Sequence, residues 1–185
     1  QLIEALSKVN KNLIVVNISG NAVAMPWVKS VPSIVQAWFL GSEAGSAIAS
    51  VLLGDVNPSG KLPFTFPVCL EDVGAHKLGE YPGIPRNDGS NIVDEKYNES
   101  IFVGYRWTDK EKITPLFPFG HGLSYTSYKY GKAVIDKNIM GDDEVLTVTV
   151  PITNIGMRAG SEIVQMYISD LKSSLPRPVK ELKGF

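Results

Sequence analysis

The hydrophobic pattern of the chain changes character twice, and this limits the folds that the chain can adopt. In residues 1–10, apolar side chains recur at helical spacing, and the following run LIVVNIS predicts a buried strand. We predict a second strand over Ile34–Leu40, a closely packed helix in GSEAGSAIASVLLGD (41–55) between a Gly start and a stop at Gly54, and a short strand at KLPFTFP. This alternation over residues 1–67 is typical of a parallel α/β layer, of which only a part is present.

Residues 68–125 and 126–185 follow two further patterns. The former are rich in Gly, Pro, Asn and aromatic residues, which predicts a long ordered connection rather than a free tether. The latter contain the alternating runs VLTVTVPITN and SEIVQMYIS, with NIGMRAG as a turn between them, which indicates an antiparallel β-sandwich. An immunoglobulin-type sandwich has about seven strands in about 100 residues, whereas these residues supply three or four. We therefore expect this sandwich to be truncated.

Charge and composition argue against several kinds of partner and cofactor. The formal net charge is -1 at pH 7 and basic residues are not clustered, so we expect neither nucleic acid nor a membrane as a partner. A single cysteine, Cys69, and two histidines argue against a disulfide framework and a Cys/His zinc site. No cofactor is expected. Because the chain opens on Gln1 without an initiator Met, we expect the natural protein to extend upstream.

The segment GDVNPSGK, residues 54–61, has some features of a phosphate-binding loop. A P-loop needs four residues between its glycines, Ser or Thr after the lysine, and a strand before and a helix after it. Here five residues separate Gly54 from Gly60, Lys61 is followed by Leu62, and the predicted order is helix then strand. We interpret the segment as a structural turn in which Pro58 fixes φ and Gly60 permits positive φ.

No side chain of the chain stands out as a catalytic group. A GxSxG motif is absent, and His121, which lies between glycines, is interpreted as a hydrogen-bonded structural residue rather than a general base. Trp27 and Trp38 fall within apolar elements and are predicted to be core residues. Capping or solvent exposure explains three further carboxylates better than catalysis does. These carboxylates are Glu43, Asp55 and Glu99.

Five segments in one order resemble the C-terminal portion of glycoside hydrolase family 3 β-glucosidases. They are GNAVAMPWV (20–28), AWFLGSEAGSAIA (37–49), GDVNPSGKLPFTFP (54–67), YNESIFVGYR (97–106) and PLFPFGHGLSYT (115–126). The later TNIGMRAGSEIVQMYISD and RPVKELKGF resemble the fibronectin type III-like domain of the same enzymes. The implied fold is a partial α/β sandwich with a mostly parallel sheet, followed by a truncated all-β immunoglobulin/fibronectin III-like sandwich.

The resemblance also implies an activity, and it implies that this chain lacks the groups that perform it. The resemblance implies a (β/α)8-type barrel ahead of the α/β sandwich. It also implies a retaining glycosidase mechanism, in which two carboxyl groups lie about 5 to 5.5 Å apart. The family nucleophile is an Asp of the barrel and the acid/base is commonly a Glu upstream of the stretch that matches Gln1–Glu4. We therefore assign no catalytic, cofactor-binding or metal-binding residue here and expect the chain to be inactive alone.

Several alternatives remain open at this stage. Tyr105, Arg106 and Trp107 either approach the rim of a sugar site or serve packing, as aromatic residues in long connections usually do. Within the family, β-xylosidases, α-arabinofuranosidases and N-acetylglucosaminidases act on other sugars, and a rival interpretation is a non-catalytic carbohydrate-binding or adhesion module. Expected partners are the missing barrel, a carbohydrate substrate of the parent enzyme and, through exposed apolar faces, other copies of the chain. A periplasmic or secreted location is favoured but not determined.

Overall fold

The structure is a computed structural model that describes residues 1–185. Its elements are short, and no helix in it has the length and apolar character needed to cross a bilayer. The first 67 residues contain two helices and two strands: α1 (Leu2–Val9), β1 (Ile14–Asn17), β2 (Ser33–Gln36) and α2 (Ala44–Leu53). Single 3-10 turns precede β2 and α2: Val28–Ser30 and Gly41–Glu43.

β1 and β2 pair in parallel, with Ile14 opposite Ser33 and Asn17 opposite Gln36. Both strands are built around β-branched Ile and Val residues, which suit a pleated, half-buried surface. The parallel pairing predicted from the sequence is therefore confirmed. β2 ends at Gln36 rather than Leu40 because Trp38 has φ 49, a left-handed backbone conformation that cannot continue a strand.

Helix α2 ends at the predicted Gly54 stop but does not have the predicted packing. It ends at Gly54, whose φ of 83 is the left-handed conformation that glycine adopts after helices. None of its side chains is buried, and Leu53 is 78% exposed. The expectation of a closely packed helix is wrong for this chain, because a sheet of only two strands offers little surface on which a helix can pack.

The segment KLPFTFP does not form the predicted strand. It runs alongside residues 116–121 instead, with one antiparallel bridge between Phe66 and Phe117. The backbone N–H of Phe66 donates to Phe117 O at 2.8 Å, and Leu62 N–H donates to His121 O at 2.8 Å. Prolines at 63 and 67 have no N–H to donate, so the hydrogen bonds do not extend into a continuous ladder.

The small apolar core lies where this segment meets the chain before and after it. Phe66 is 1% exposed, stacks on Phe64 at 5.9 Å and meets Phe117 edge-on at 6.3 Å. Trp38 contacts Phe64 at 5.1 Å, but it is only half-buried, as is Trp27. The prediction that Trp27 and Trp38 are core residues is thus wrong, because each lies at the margin of a core too small to enclose it.

Residues 68–125 contain a few very short elements. These are a 3-10 turn (Leu70–Asp72), α3 (Gly74–Lys77), β3 (Ile84–Pro85), β4 (Val93–Asp94) and α4 (Tyr105–Glu111). β3 and β4 pair antiparallel. The segment between β4 and α4 is held by Glu80, which is only 4% exposed. Its carboxylate accepts hydrogen bonds from the backbone N–H and the side-chain amide of Asn98.

Residues 126–185 contain only strands, and every pair is antiparallel. The strands are β5 (Tyr128–Tyr130), β6 (Val134–Ile135), β7 (Val148–Thr149), β8 (Ile152–Asn154), β9 (Met166–Ile168) and β10 (Glu181–Gly184). β5 pairs with β8, β6 with β7, and β9 with β10. The NIGMRAG turn therefore joins two strands, β8 and β9, that belong to different pairs.

The folded chain exposes far more surface than its size requires. Its accessible surface is 13362 Å², whereas a monomeric globular protein of 20.1 kDa exposes about 8,700 Å². Only 11 of 185 residues are buried. The chain is thus held together by local pairings and polar contacts more than by one large apolar core.

We predict that Gly54→Ala lowers the free energy of unfolding by about 1–2 kcal/mol, because a Cβ at φ 83 is strained and would lie 2.9 Å from Nη1 of Arg158. Urea denaturation of the chain measures this change. The control is Gly45→Ala in the same helix, where no atom lies within 4 Å of the new Cβ. It should stabilise by up to about 1 kcal/mol, and equal effects of both substitutions would contradict the prediction.

Candidate functional site at the junction between the two parts of the chain

The turn predicted at residues 54–61 lies against the all-β part, and the side chain of Asn57 connects three segments there. Its Oδ1 accepts hydrogen bonds from Ser124 Oγ at 2.8 Å and from the backbone N–H of Tyr125 at 2.7 Å. Its Nδ2 donates to Ala159 O at 2.9 Å. One amide thus ties the turn to the start of the all-β part and to the β8–β9 connection.

Lys61, at the end of the same turn, forms an ion pair with Glu162. The Nζ–Oε1 distance is 3.2 Å, and both side chains are only 15% exposed. Lys61 Nζ also donates to Gly122 O at 2.8 Å, while the Tyr130 hydroxyl donates to Glu162 Oε1 at 2.6 Å. The hydrogen bond to this carboxylate, together with burial and the negative charge, raises the pKa of Tyr130 to about 12.

Arg158 provides a third link, at the end of α2. Its Nη1 donates to Gly54 O at 3.1 Å, and its guanidinium lies 5.9 Å from the ring centroid of Tyr125. The Tyr125 hydroxyl donates to Val51 O at 2.8 Å. A positive charge and a hydroxyl donor thus satisfy carbonyl groups at the carboxyl end of a helix, where the helix dipole favours cations.

This geometry decides between the two interpretations of the turn. The ammonium group of Lys61 is bound to a carboxylate and a carbonyl, and the turn follows a helix instead of preceding one. His121 lies next to it, with its ring 5.2 Å from that of Phe117. Burial and the nearby charge of Lys61 lower the pKa of His121. Lys61 holds the junction together, as the structural interpretation of the turn predicted. The His121 side chain packs on Phe117 and makes no hydrogen bond within the chain, so the hydrogen-bonded role expected for it is not seen.

Helix α4 makes a second contact with the all-β part. The ring of Tyr105 stacks on Phe119 at 5.0 Å and meets Tyr167 edge-on at 5.9 Å, and its hydroxyl accepts the backbone N–H of Leu182 at 3.0 Å. Two ion pairs flank it at 3.8 and 3.3 Å: Arg106–Glu181 and Asp109–Lys180. The helix therefore docks on the β9–β10 pair.

Trp107 points into the connection. It is 5% exposed, its Nε1 donates to Asp72 O at 3.1 Å, and its ring contacts Gly74 so closely that a Cβ there would lie 3.1 Å away. No face of this ring is open to a sugar. For Tyr105, Arg106 and Trp107 the contacts within the chain support packing over a place at the rim of a sugar site.

None of the three carboxylates considered in the sequence takes part in the junction contacts, although Asp55 lies within the 54–61 turn. Glu43 is exposed and accepts a hydrogen bond from Ser46 Oγ at 2.9 Å, Asp55 is exposed, and Glu99 is half-buried. No group of three or more His, Cys, Asp or Glu side chains is arranged to hold a metal ion. Sequence reasoning missed Glu80 and Glu162, since neither lies in a pattern that signals burial and their partners are 18 and 101 residues away.

Comparison with known proteins shows which family the chain belongs to. Residues 1–125 match the glycosyl hydrolase family 3 C-terminal domain, and residues 162–185 match a fibronectin type III-like domain. The chain belongs to glycosyl hydrolase family 3. The resemblance seen in the five ordered motifs is therefore confirmed, as is the presence of a fibronectin type III-like region in this member of the family.

Similar proteins in the family carry the name β-glucosidase. Beta-glucosidase BoGH3A of Bacteroides ovatus is 56% identical over 187 residues, and thermostable beta-glucosidase B of Acetivibrio thermocellus is 47% identical over 185. Both alignments cover 100% of this chain but only 24% and 23% of those proteins. The chain thus spans about a quarter of the length of the curated relatives that it matches.

Solved structures agree with this placement. Beta-glucosidase 3B of Thermotoga neapolitana, in complex with glycerol, superposes with a TM-score of 0.87 at 37% identity. That superposition covers 99% of this chain and 25% of the other. Beta-glucosidase of Kluyveromyces marxianus, in complex with glucose, gives a TM-score of 0.84 at 42% identity, with 99% and 21% of the two chains covered.

We predict that the Lys61–Glu162 pair contributes a coupling energy of about 1–3 kcal/mol to stability, because it is a hydrogen-bonded charge pair that is largely sheltered from water. A double-mutant cycle of Lys61→Met and Glu162→Gln in urea denaturation measures it. Gln keeps an acceptor for the Tyr130 hydroxyl, so the cycle isolates the charge pair.

The matched control is Lys137–Glu144, which has nearly the same N–O distance, 3.3 Å, but side chains that are 34% and 53% exposed. Its coupling energy should stay below about 1 kcal/mol. Equal coupling energies in the two pairs would contradict the prediction, because they would show that burial does not strengthen the Lys61–Glu162 interaction.

Proposed function

We propose that this chain is the C-terminal scaffold of a retaining β-glucosidase that acts on β-glucosides or short β-linked oligosaccharides. In this proposal, the two catalytic carboxyl groups belong to other parts of the parent protein, and the chain alone is inactive. One observation carries the proposal: proteins named β-glucosidase align with the whole chain at 42–56% identity, yet the chain is only about a quarter of their length.

The finer architecture belongs to the same proposal. The β1–β2 pair with α1 and α2 is part of an α/β sandwich, and the three antiparallel pairs of residues 126–185 are part of a fibronectin III-like sandwich with two layers. Support comes from the parallel and antiparallel registers and from the two matched domain families. The junction then keeps these parts in a fixed relative orientation.

The state of two sheltered carboxylates, Glu80 and Glu162, supports inactivity of the chain alone. Retaining hydrolysis needs one carboxylate free to attack and one free to exchange a proton. Glu80 is bound by the amide and backbone N–H of Asn98, and Glu162 is bound by Lys61 and Tyr130. Each of these sheltered groups is thus already occupied by a structural partner.

A chimera tests the proposal directly. Residues 1–185 would replace the aligned segment of the Bacteroides ovatus β-glucosidase, to which they are 56% identical. We expect the chimera to hydrolyse an aryl β-glucoside with retention of anomeric configuration, and the isolated chain to show no turnover. Product anomers are followed by proton NMR.

The control is the same chimera with Lys61→Met and Asn57→Ala, which removes two links of the junction. It should lose stability while keeping the stereochemical course of hydrolysis, because neither residue is proposed to touch the substrate. Saturable turnover by the isolated chain, or a chimera that folds but does not hydrolyse, would contradict the proposal.

The proposal also extends to association of the isolated chain with itself. Its accessible surface of 13362 Å² exceeds the roughly 8,700 Å² typical of its mass, and large exposed apolar patches tend to recruit partners. The exposed apolar side chains include Leu2, Val9, Leu53, Leu123 and Leu171. Light scattering should therefore show species larger than 20.1 kDa, and a monomer at high concentration would contradict this expectation.

A further inference from the structure

The carboxyl ends of β1 and β2 meet at one edge of their sheet, where the two last residues carry side-chain amides. Asn17 and Gln36 lie directly opposite each other in the parallel register. In α/β proteins, ligands bind outside the carboxyl ends of parallel strands. None of the residues at this edge takes part in the junction described above.

A hydrogen-bond network orients both amides. Asn17 Nδ2 donates to Gln36 Oε1 at 2.6 Å and to Ser19 Oγ at 3.0 Å, and Gln36 Nε2 donates to the carbonyl and the hydroxyl oxygen of Ser19 at 3.3 and 3.2 Å. Asn17 Oδ1 accepts no hydrogen bond from the chain. This oxygen belongs to a half-buried side chain with a fixed direction, and an amide oxygen can accept two hydrogen bonds.

An aromatic ring lies beside the network. The ring of Phe39 contacts Gly20, the residue after Ser19, so closely that a Cβ on Gly20 would lie 2.7 Å from Cε2. Phe39 is nevertheless 77% exposed. One side of the ring therefore lies on the backbone while most of its surface is open to solvent.

The backbone before Phe39 explains why this ring points outward. Trp38 has φ 49, a conformation that costs free energy in a bulky residue. It turns the Trp38 ring towards Phe64, 5.1 Å away, and leaves Phe39 outside that aromatic cluster. Strain of this kind persists only where the surrounding structure enforces it, and it is often found at binding sites.

We propose that Asn17 and Phe39 form a sugar-contacting site whose amide is oriented by Ser19 and Gln36. The Ser19 hydroxyl is itself fully engaged, since it donates to Asn21 O at 2.9 Å and accepts from both amides. A pyranose ring has an apolar C–H face and a rim of hydroxyl groups, and this edge offers an exposed aromatic surface beside a fixed amide oxygen. Phe39 stacks on the apolar face and Asn17 Oδ1 accepts a hydrogen bond from a sugar hydroxyl. The site rests on the proposed function, since it places a contact for a glucoside-type ligand on this chain.

Titration of the 185-residue chain with cellobiose, followed by NMR, tests the site. We expect saturable shifts of the side-chain amide signals of Asn17 and Gln36. Phe39→Ala should weaken binding about 3- to 10-fold, the effect typical of one aromatic contact. Gly20→Ala should weaken it similarly, because the new Cβ displaces the Phe39 ring while leaving its chemistry intact. Phe185→Ala, which removes another aromatic residue that is 92% exposed, should bind as the unmodified chain does.

The site would be ruled out if the two amide signals did not move, or if Phe39→Ala and Gly20→Ala bound cellobiose as tightly as Phe185→Ala. The amide shifts are read in the unmodified chain, so that part of the test does not depend on how any variant folds. The chimera assay separates this result from the proposed function. An active chimera whose segment does not bind cellobiose refutes only the site, whereas binding by the segment of an inactive chimera refutes only the β-glucosidase proposal.

Discussion

The amide of Asn57 and the ammonium group of Lys61 bind their turn to two other segments of the chain, residues 122–125 and 159–162, and the relation between its two parts depends on these contacts. Each part on its own is small: one is organised around a two-stranded parallel sheet and the other around pairs of short antiparallel strands. With so few buried residues, apolar burial alone does little to fix their arrangement. Directional polar contacts at the junction do this instead, and those of Lys61 are largely sheltered from water. Helix α4 adds a second point of attachment on β9 and β10, so two separate contacts resist rotation of one part against the other.

Membership of glycosyl hydrolase family 3 gives this arrangement a context. The surface that the chain leaves exposed is that of a segment whose relatives are about four times as long. The apolar side chains of Leu2, Val9 and Leu53 on α1 and α2 are mostly exposed, whereas the contacts of the polar junction are made by residues of the chain itself.

Local patterns in the sequence predicted the first part of the fold well and its packing poorly. The helix spacing of residues 1–10, the β-branched runs of β1 and β2 and the Gly54 stop are local signals, and the structure follows them. The strand predicted at KLPFTFP failed because its prolines interrupt the ladder, and the second strand ends before the predicted Leu40 because nothing in the sequence indicates the positive φ of Trp38. The turn at residues 54–61 was correctly taken as structural. Its contacts could not be predicted, since the partners of Asn57 and Lys61 lie 61 to 102 residues away.

Many of the hydrogen bonds at the junction end on main-chain carbonyl groups. Asn57, Lys61, Arg158 and the Tyr125 hydroxyl donate to the carbonyls of Ala159, Gly122, Gly54 and Val51. A carbonyl acceptor does not depend on which side chain its residue carries. The donor side chains must therefore keep their chemical identity if the two parts are to stay aligned. Acceptor positions such as Val51 and Ala159 need only keep the path of the backbone.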